Sequence, residues 1–350
     1  MNKKIIIIGA GLSGLLIAYR LLNKGFDIEI IEARNRVGGR IHTIKSGKAT
    51  IEMGATWFTK VHHNLSALLE EFEVGYFEQF IKGKSFYETL FETPAQIIEI
   101  PEKNPSYRVS GGTFQLLEKI KKELNEVKFH LNEMVTTIDF TNEKASVVTN
   151  KKTFSSDIVI STIPQQLLVT NTIFLPKLPE QLINIGAKTH TWMQDSIKVA
   201  LVYANPFWRT KNLSGTLFST IGPVSEFYDH SNYNVDGFAL CGFINAEMAM
   251  YSKKDRKNKI LLHLEKIFGK DALDFIDYQE TIWSEEEFTK NTKQNNFVFP
   301  HQNNGHPIFR ESYYNNRLFL SGSETALQYP GYMEGAILSA NEVVSRILIL

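Results

Sequence analysis

The feature that most constrains the fold is a glycine pattern near the N-terminus. Residues 9–14, GAGLSG, match G-x-G-x-x-G and follow a β-branched apolar run at residues 4–8. The pattern opens a segment with apolar residues at helical spacing, 12–24, and a second strand-like run at 26–31 comes next. Because a strand, a glycine-rich turn, a helix and a strand in this order are typical of a βαβ unit, the sequence predicts an α/β protein with a Rossmann-like domain.

Three glycines and one acid have separate roles in such a unit. Gly9 permits the tight turn, Gly11 has no Cβ and lets a pyrophosphate approach, and Gly14 lets the helix pack closely on the strand. The N–H groups and the positive dipole end at the start of the helix favour phosphate. Glu32 lies 18 residues beyond Gly14, where it would bind ribose hydroxyls and repel the 2′-phosphate of NADP. The pattern predicts a dinucleotide site but leaves FAD and NAD open.

Composition excludes several other classes of function. Lys and Arg total 38, as do Asp and Glu, so the zero net charge predicts neither a nucleic-acid partner nor an anionic membrane surface. One cysteine, Cys241, excludes a disulfide framework and a cysteine-based metal site. The nine histidines, including His62, His63, His301 and His306, show no metal-ligand spacing, so no metal is predicted.

The first residues imitate a targeting signal. Lys3 and Lys4 precede an apolar stretch that continues to Ala18. Because that stretch contains the ordered glycines and leads into a second strand, we interpret it as folded core and expect a cytoplasmic protein. No apolar run reaches the roughly 18 residues of a membrane helix, so no membrane partner is expected.

Beyond residue 60 the local patterns are weaker. Residues 61–80 are predicted to be helical, and residues 83–107, which include three prolines, to be irregular. Thr113 is a candidate N-cap for a helix at 114–124. Further strands are predicted at 127–162, 195–204, 237–245 and 317–320, and further helices at 253–268 and 335–350.

Short blocks that recur in order along the whole chain carry a family resemblance. They are IEAR at 31–34, RVGGR at 36–40, MGATW at 53–57, YRV and GG at 107–112, residues 157–164, IK at 197–198, PFWR at 206–209, IWSEE at 282–286, LFLSGSETA at 318–326 and PGYMEGA at 330–336. With these blocks the chain resembles the flavin-containing amine oxidase family, of the monoamine oxidase type. The resemblance implies that the dinucleotide is FAD.

The resemblance also implies which residues bind FAD. Val135 matches the position whose backbone holds the adenine, and Glu324 matches the acid near the ribityl and pyrophosphate region. Met333 matches a residue at the pyrimidine ring of the flavin, where the helix that follows would stabilise negative charge. The positions implied for the ADP and pyrophosphate part are Gly9, Gly11, Leu12, Ser13, Gly14, Glu32, Ala33, Arg34, Gly39 and Arg40, and the other implied cofactor positions are Gly54, Ala55, Thr56, Trp57, Gly322 and Tyr332.

Three residues are implied at the reacting end of the flavin. Lys198 would hold a water at N5 and assist the reaction of reduced flavin with oxygen, and burial there should lower its pKa. Without the resemblance, Lys198 would be interpreted as a solvent-facing lysine of a strand. Tyr332 would form one wall of an aromatic cage for the amine, and Trp283 would pack near the flavin or in the core.

The chain departs from the family after Trp283. Monoamine oxidases carry a cysteine and an aromatic residue in that segment, whereas residues 289–296 contain neither, and Cys241 lies elsewhere. FAD is therefore expected to bind non-covalently. The second cage wall is left open, with Phe297 and Phe299 as candidates.

A second departure concerns length. The stretch between Gly54 and Gly111 has only about 50 residues, so the helical insert that is usual in the family is largely missing. The substrate pocket is therefore expected to be small or open.

The sequence predicts two domains and one main activity. A discontinuous FAD-binding domain is expected at 1–60, 108–168 and 281–350, with a smaller α+β substrate domain at 61–107 and 169–280. The expected reaction passes hydride from the α-carbon of a small amine to flavin N5, with O2 as the acceptor and H2O2 as a product. One alternative is another flavin reaction, either desaturation or amino-acid oxidation, and an arginine in the pocket that holds a substrate carboxylate would favour amino-acid oxidation. A second alternative is an FAD-binding protein with little oxidase activity. The particular amine, the physiological acceptor and the oligomeric state are left open.

Overall fold

The computed structural model describes residues 2–90, 92–101, 103–290 and 298–350. The strands of these residues, numbered in chain order, are β1 (Lys3–Ile8), β2 (Phe26–Ile31), β3 (Thr43–Ser46), β4 (Ala49–Glu52), β5 (Tyr76–Glu78), β6 (Lys84–Thr89), β7 (Glu92–Ile98), β8 (Tyr107–Val109), β9 (Lys128–His130), β10 (Val135–Asp139), β11 (Ala145–Thr149), β12 (Thr153–Ser156), β13 (Ile158–Ser161), β14 (Ile173–Leu175), β15 (Ile197–Tyr203), β16 (Leu213–Ser219), β17 (Val224–Asp229), β18 (Phe238–Ile244), β19 (Phe275–Ile282), β20 (Ser312–Tyr313) and β21 (Leu318–Leu320).

The α-helices of the same residues follow the strands in long and short segments. They are α1 (Leu12–Leu21), α2 (His63–Glu71), α3 (Phe114–Glu123), α4 (Gln165–Asn171), α5 (Glu180–Ala187), α6 (Phe207–Thr210), α7 (Lys253–Phe268) and α8 (Met333–Leu348). Short 3-10 helices cover Ala246–Met250, Lys270–Leu273, Trp283–Glu285, Pro307–Arg310 and Ser323–Thr325. In the part of the chain that the structure describes, no helix combines the length and the apolar character needed to cross a bilayer.

The first sheet is the Rossmann-like layer that the glycine pattern predicted. Its strand order is β20-β21-β13-β1-β2-β9, and the strands run parallel except for β20. β1 lies between β2 and β13, with Ile5 opposite Ile28 and Ile158. Side chains of β1 enter the apolar clusters on both faces of the sheet, which is why this strand is a continuous β-branched run. The predicted β1–α1–β2 unit is therefore confirmed.

A seven-stranded sheet forms the second layer, in the order β19-β15-β18-β17-β16-β6-β7. All seven residues of β15 are buried. Because side chains alternate along a strand, Lys198, Ala200 and Val202 share one face of β15. Ala200 and Val202 pack in one cluster with Ile51 and other residues of the β3–β4 hairpin, so that face of the sheet lies against the hairpin.

Two predictions about residues 61–107 are wrong. Residues 84–98 are not irregular, because β6 and β7 form an antiparallel hairpin at the edge of the seven-stranded sheet. Pro94 lies in β7, an edge strand, where a proline is tolerated because one side of the strand needs no N–H donor. The helix predicted at 61–80 ends at Glu71, and β5 then pairs with β8.

Thr113 occupies the N-cap position of α3, as predicted, but it does not cap the helix with its side chain. The Thr113 side chain makes no capping hydrogen bond. Instead, a carboxylate oxygen of Glu52 accepts from the Thr113 N–H, and Oγ1 of Thr43 accepts from the Phe114 N–H at 3.0 Å. The β3–β4 hairpin therefore supplies the cap that begins α3.

The packing of α2 bears on the domain boundaries. Leu65, Leu68 and Leu69 lie in the same apolar cluster as α1 and α8, on the first sheet, although α2 falls inside the predicted segment 61–107. The glutamate at position 334, in the first turn of α8, accepts hydrogen bonds from the N–H groups of Asn64 and Leu65. The division into two domains stays a prediction, in which we place α2 with the first sheet.

Candidate active site

One elongated cavity lies at the carboxyl ends of β1 and β2. Gly9 directly follows β1 and Glu32 directly follows β2, so both residues reach the same edge of the first sheet. The cavity continues to the N-terminus of α8. The predicted cofactor residues that line it are Gly9, Gly11, Leu12, Ser13, Glu32, Ala33, Arg34, Gly39, Arg40, Ala55, Val135, Gly322, Tyr332 and Met333.

The start of α1 forms the part of the cavity suited to phosphate. Gly11 is the N-cap, and no side chain caps the helix. A Cβ added at Gly11 would meet no atom within 4 Å, whereas a Cβ at Gly14 would collide with the carbonyl oxygen of Gly9. Gly9 itself has φ of +105°, which favours glycine. The geometry therefore leaves open space beside Gly11 and requires glycine at Gly9 and Gly14.

Glu32 organises the loop around that space. Its carboxylate accepts from the Ala10 N–H and from the Arg34 N–H, both at 2.8 Å. The side chain is almost fully buried, yet the residue lines the cavity. A carboxylate has about four acceptor positions, so Glu32 can hold the glycine loop and still accept from a ribose.

Arg40 and Glu324 form an ion pair although they are 284 residues apart in the sequence. The guanidinium forms a two-pronged ion pair with the carboxylate, with Nη2 2.9 Å from Oε2, and also donates to Ser323 Oγ and to the Trp192 carbonyl oxygen. Burial alone would raise the pKa of Glu324, but the charge of Arg40 outweighs it and the pKa is lowered. The pair fixes Arg40 in the wall of the cavity; its contact with a pyrophosphate stays a prediction.

Lys198 is fully buried in β15, so its interpretation as a solvent-facing lysine is wrong. Its Nζ donates to the Gly54 carbonyl oxygen at 2.8 Å and to Thr56 Oγ1. The same nitrogen lies 4.7 Å from the centre of the Trp57 ring and 5.2 Å from that of Phe243. Burial lowers the pKa of Lys198, as the resemblance implied.

The segment that holds Lys198 also borders the cavity. Gly54, Thr56 and Trp57 do not line it, but Ala55, between Gly54 and Thr56, does. A Cβ at Gly54 would collide with the Arg40 carbonyl oxygen, so this turn packs directly on the cavity wall. Lys198 is therefore held one residue away from the lining.

Trp283 packs behind the same turn. The ring is fully buried, and Nε1 donates to the Met53 carbonyl oxygen at 2.8 Å. Trp283 does not line the cavity. Of the two interpretations offered for Trp283, the observed contacts are those of core packing, and proximity to a flavin stays a prediction.

Tyr332 lies at the open end of the cavity and is 40% exposed. The Trp192 ring lies against it, with 5.7 Å between ring centres and 29° between ring planes, and Trp192 also lines the cavity. Phe299 is 65% exposed and does not line the cavity, and Phe297 lies outside the described residues. The aromatic side chain found beside Tyr332 is therefore Trp192.

Sequence reasoning missed Trp192. Trp192 precedes β15 in a segment where the only sequence block noted was Ile197–Lys198. Its backbone N–H donates to the Glu324 carboxylate at 3.2 Å, so the Arg40–Glu324 pair positions it. Only the folded chain brings residues 40, 192 and 324 together.

Cys241 lies in β18, fully buried and away from the cavity lining. Burial raises the pKa of its thiol to about 11, so it is neutral at ordinary pH. Among the described residues, no cluster of three or more His, Cys, Asp and Glu could hold a metal ion.

These observations together fit an adenine dinucleotide. The uncapped helix start and the open space at Gly11 suit phosphate, and Glu32 suits a ribose. Val135 brings β10 to the cavity at the far side of Glu32.

A family model identifies the protein type at this point. The model described as flavin containing amine oxidoreductase matches residues 12–106 and 87–348. These ranges include the glycine pattern from Leu12 onward, Lys198 and the whole of the Tyr332 segment.

Individual relatives agree with the family model. The chain is 24% identical to a probable flavin-containing monoamine oxidase A of Dictyostelium discoideum, over 98% of this chain and 97% of that protein. It is 24% identical to amine oxidase [flavin-containing] B of Homo sapiens, over 98% of this chain and 86% of that protein. Each alignment spans 451 positions, whereas the chain has 350 residues, so these relatives carry segments that this chain lacks.

Solved structures show the same fold. Putrescine oxidase bound to putrescine superposes with a TM-score of 0.86 at 21% identity, over all of both chains. Cyclohexylamine oxidase from Brevibacterium oxydans gives a TM-score of 0.86 at 18% identity, over all of this chain and 99% of the other. Because the family model covers almost the whole length, the chain belongs to the flavin-containing amine oxidoreductase family and is an FAD-dependent oxidoreductase of the amine oxidase type.

Proposed function

We propose that this protein oxidises a small amine with O2 as acceptor, releases H2O2 and binds FAD non-covalently in the cytoplasm. Relatives named monoamine oxidase, and a neighbouring structure with bound putrescine, support an amine as the substrate. The observation that carries the proposal is Lys198, a buried lysine held by the turn whose Ala55 lines the cofactor cavity. The buried, neutral Cys241, remote from the cavity, supports non-covalent binding and suits a reducing compartment.

Different residues of the cavity would bind different parts of FAD. The N–H groups at the start of α1 would bind the pyrophosphate, Glu32 the ribose, and the backbone at Val135 the adenine. The first turn of α8, at Met333, would place a positive dipole end beside the flavin ring. Bound FAD supplies the two-electron chemistry, taking hydride from the amine α-carbon and returning the electrons to O2.

The protein side of the reaction is orientation and electrostatics. The faces of Tyr332 and Trp192 form an electron-rich surface at the open end of the cavity, which favours an amine and can direct its α-carbon inward. Trp57 and Phe243 cover Lys198 and keep bulk water from its amine. Burial lowers the pKa of Lys198, which suits a residue that takes up and returns a proton near the reacting centre. A side-chain general base acting on the substrate is not required.

Lys198→Met tests this function by separating the two halves of the reaction. The change keeps an apolar stem of similar length but removes the amine. We expect anaerobic reduction of the flavin by a good amine substrate to change little. Reoxidation by O2, followed at 450 nm in a stopped-flow instrument, should slow at least about tenfold, as for a lost electrostatic contact of about 1.4 kcal/mol.

The control is Lys177→Met, which removes an exposed lysine between β14 and α5. It should match the parent in both half-reactions. Equal reoxidation rates in Lys198→Met and the parent, at equal flavin content, would remove Lys198 from the active site.

One observation favours a second candidate, an FAD-binding protein with little oxidase activity. The Lys198 amine is already engaged by Gly54 and Thr56, and Tyr332 is open to solvent rather than enclosed. A panel of primary amines with peroxide detection separates the two candidates. No peroxide with any amine, from protein that carries its full flavin, would favour the second.

A further inference from the structure

A second, smaller cavity lies between β8 and the end of β17. It has a volume of about 20 Å³, more than the roughly 10–15 Å³ that one water needs. Arg108, His230 and Ser231 contribute to its wall, and each is at least nine-tenths buried. At its rim are the rings of Phe77 and Tyr233, with centres 5.4 Å apart, and Tyr233 is 61% exposed. The cavity therefore has a polar floor and an aromatic rim at the surface.

Arg108 is a buried cation without a partner acid. Burial lowers the pKa of Arg108 to about 10, so the guanidinium stays charged at neutral pH. Nη2 donates to the Ser231 carbonyl oxygen, the Phe77 ring lies 4.8 Å away, and Nε has no hydrogen-bond partner. Among the residues that the structure describes, no carboxylate oxygen comes within the 4.0 Å of an ion pair with Arg108. The charges of Asp229 and Glu52 act on the guanidinium from beyond this distance and oppose the effect of burial on its pKa. A buried cation remains costly unless an anion in contact compensates it.

His230 adds a second donor. Burial, together with the charges of Arg108 and Lys198, holds the pKa of His230 well below its ordinary value, so the ring is neutral. Nε2 accepts from the Glu52 N–H at 3.2 Å, which places the ring proton on Nδ1. Nδ1 has no acceptor.

Ser231 completes a set of donors that lacks an acceptor. Its Oγ is buried and without a partner, like Nε of Arg108 and Nδ1 of His230. Glu52, whose carboxyl group also borders the cavity, is engaged by Thr113 and Thr43 rather than by Arg108. Burial raises the pKa of Glu52. Buried donors in folded proteins normally have acceptors, so this site lacks a ligand that accepts.

We propose that Arg108, His230 and Ser231 form a binding site for the carboxylate group of a small molecule. A carboxylate supplies the missing negative charge, and its planar pair of oxygens matches the guanidinium fork. The small volume suits this flat group, whose remaining atoms would leave past Tyr233 or along β4.

The β4 segment connects this site to the larger cavity. Glu52 borders the carboxylate site, the Gly54 carbonyl oxygen holds Lys198, and Ala55 lines the cofactor cavity. The chain from Glu52 to Ala55 advances by three residues, which span at most about 11 Å. The carboxylate can therefore belong to an amine substrate whose other end lies in the cofactor cavity beside Ala55, or to a free anion.

Calorimetric titration of the FAD-loaded enzyme with glutarate tests the site directly. We expect glutarate to bind the parent at millimolar concentration, Arg108→Gln to weaken binding at least about tenfold, and Arg108→Lys to weaken it less. The matched control is Lys60→Gln, an exposed cation beside Tyr107, which should bind like the parent. Failure of the parent to bind glutarate, or equal binding by Arg108→Gln, means that the cavity holds only water and overturns the proposal. If Arg108→Gln loses flavin, glutarate binding by Arg108→Lys is compared with that by the parent, and equal binding overturns the proposal.

A second experiment, which rests on the proposed function, identifies the source of the carboxylate. Hexylamine and 6-aminohexanoate differ only in the terminal carboxylate. If the substrate supplies it, Arg108→Gln should raise KM for 6-aminohexanoate at least about tenfold and leave hexylamine unchanged. If a free anion supplies it, the ratio of the two KM values stays constant while glutarate binding is lost. Absence of turnover with either amine counts against the proposed function and leaves the calorimetric result standing.

Discussion

The cofactor cavity and the Lys198 face of the second sheet satisfy their polar groups in opposite ways. In the cavity, the first N–H groups of α1 have no side-chain cap, and the space beside Gly11 is empty of protein atoms. For the Lys198 amine and the Trp57 indole, protein groups supply the partners: Gly54 and Thr56 hold the amine, and Gln79 accepts from the indole. The first region is completed by a ligand, and the second is complete by itself.

The difference predicts how each region fails. Where a ligand supplies the missing partners, small backbone changes should affect ligand retention more than folding. Where the protein supplies all partners, loss of one side chain should lower the free energy of unfolding whether FAD is present or not.

The largest effect is expected at Gly14, which does not line the cavity and instead packs against the backbone of Gly9. Gly14→Ala places a Cβ against the Gly9 carbonyl oxygen, and we expect it to lower the free energy of unfolding by more than about 3 kcal/mol. Gly11→Ala meets no atom within 4 Å, so it should leave the stability of the FAD-free protein unchanged and weaken FAD binding. Urea unfolding and flavin content separate the two. Equal stability of both variants would contradict the packing role of Gly14.

The next effect concerns Glu32. Glu32→Arg replaces an acceptor with a cation, and loss of a hydrogen bond to a charged group costs about 1.5–3 kcal/mol, or roughly tenfold to a hundredfold in FAD affinity. Flavin retained after dialysis is the measurement, with Glu29→Gln as the control because Glu29 pairs with Lys4 and His130 instead. Unchanged retention in Glu32→Arg would contradict its placement. Flavin that stays with acid-precipitated polypeptide would contradict non-covalent binding.

A smaller effect is expected at Thr56, in the self-sufficient region. Thr56→Val removes one of the two acceptors of the buried Lys198 amine, while the Gly54 carbonyl oxygen remains. We expect a loss of about 1.5 kcal/mol in the free energy of unfolding, equal with and without FAD. Thr59→Val, on a less buried threonine of the same segment, is the control. A loss seen only in the FAD-loaded protein would remove the distinction between the two regions.

The smallest effect is a pH slope at His42, which lines a separate pocket together with Arg34 and Arg36. Burial, with the charge of Arg36 as a second cause, lowers the pKa of His42 from 6.5 to about 4. Between these values the unfolded chain binds a proton that the folded protein does not, so the free energy of unfolding falls as pH drops through this window. His42→Gln should make that slope shallower in urea unfolding at several pH values. The exposed His63→Gln should not, and an unchanged slope in His42→Gln would refute the assignment.

Local signals in the sequence were sufficient for part of the fold. β1, α1 and β2 follow from one β-branched run, one glycine pattern and one helical period, and α7 lies where its periodicity predicted, at 253–268. β6 was missed because its partner β16 is more than a hundred residues away. β7 pairs with β6 and was missed because Pro94 indicated a loop. Strand pairing over such distances has no local signature.

Some residues of the candidate site could likewise be placed from the sequence, and others could not. Glu32 and the glycines could be placed from spacing alone, since their roles depend on the backbone next to them. Burial of Lys198 could not, because it results from contact with Thr56 in another layer. Arg108 and His230 meet only in the folded chain, and nothing in their spacing indicates a shared cavity.

The position of β1 in its sheet has a consequence for the order of events during synthesis. β1 and its glycine pattern leave the ribosome first, yet β13 and β21 complete the same sheet, and Glu324 pairs with Arg40. At roughly 5–20 residues per second, the 300 or so residues between β1 and β21 take about 15–60 s to make. During that interval the nascent chain contains the whole glycine loop but lacks strands of the first sheet. We therefore expect FAD to bind only after synthesis of β21, and a chain interrupted before Leu318 to carry no flavin.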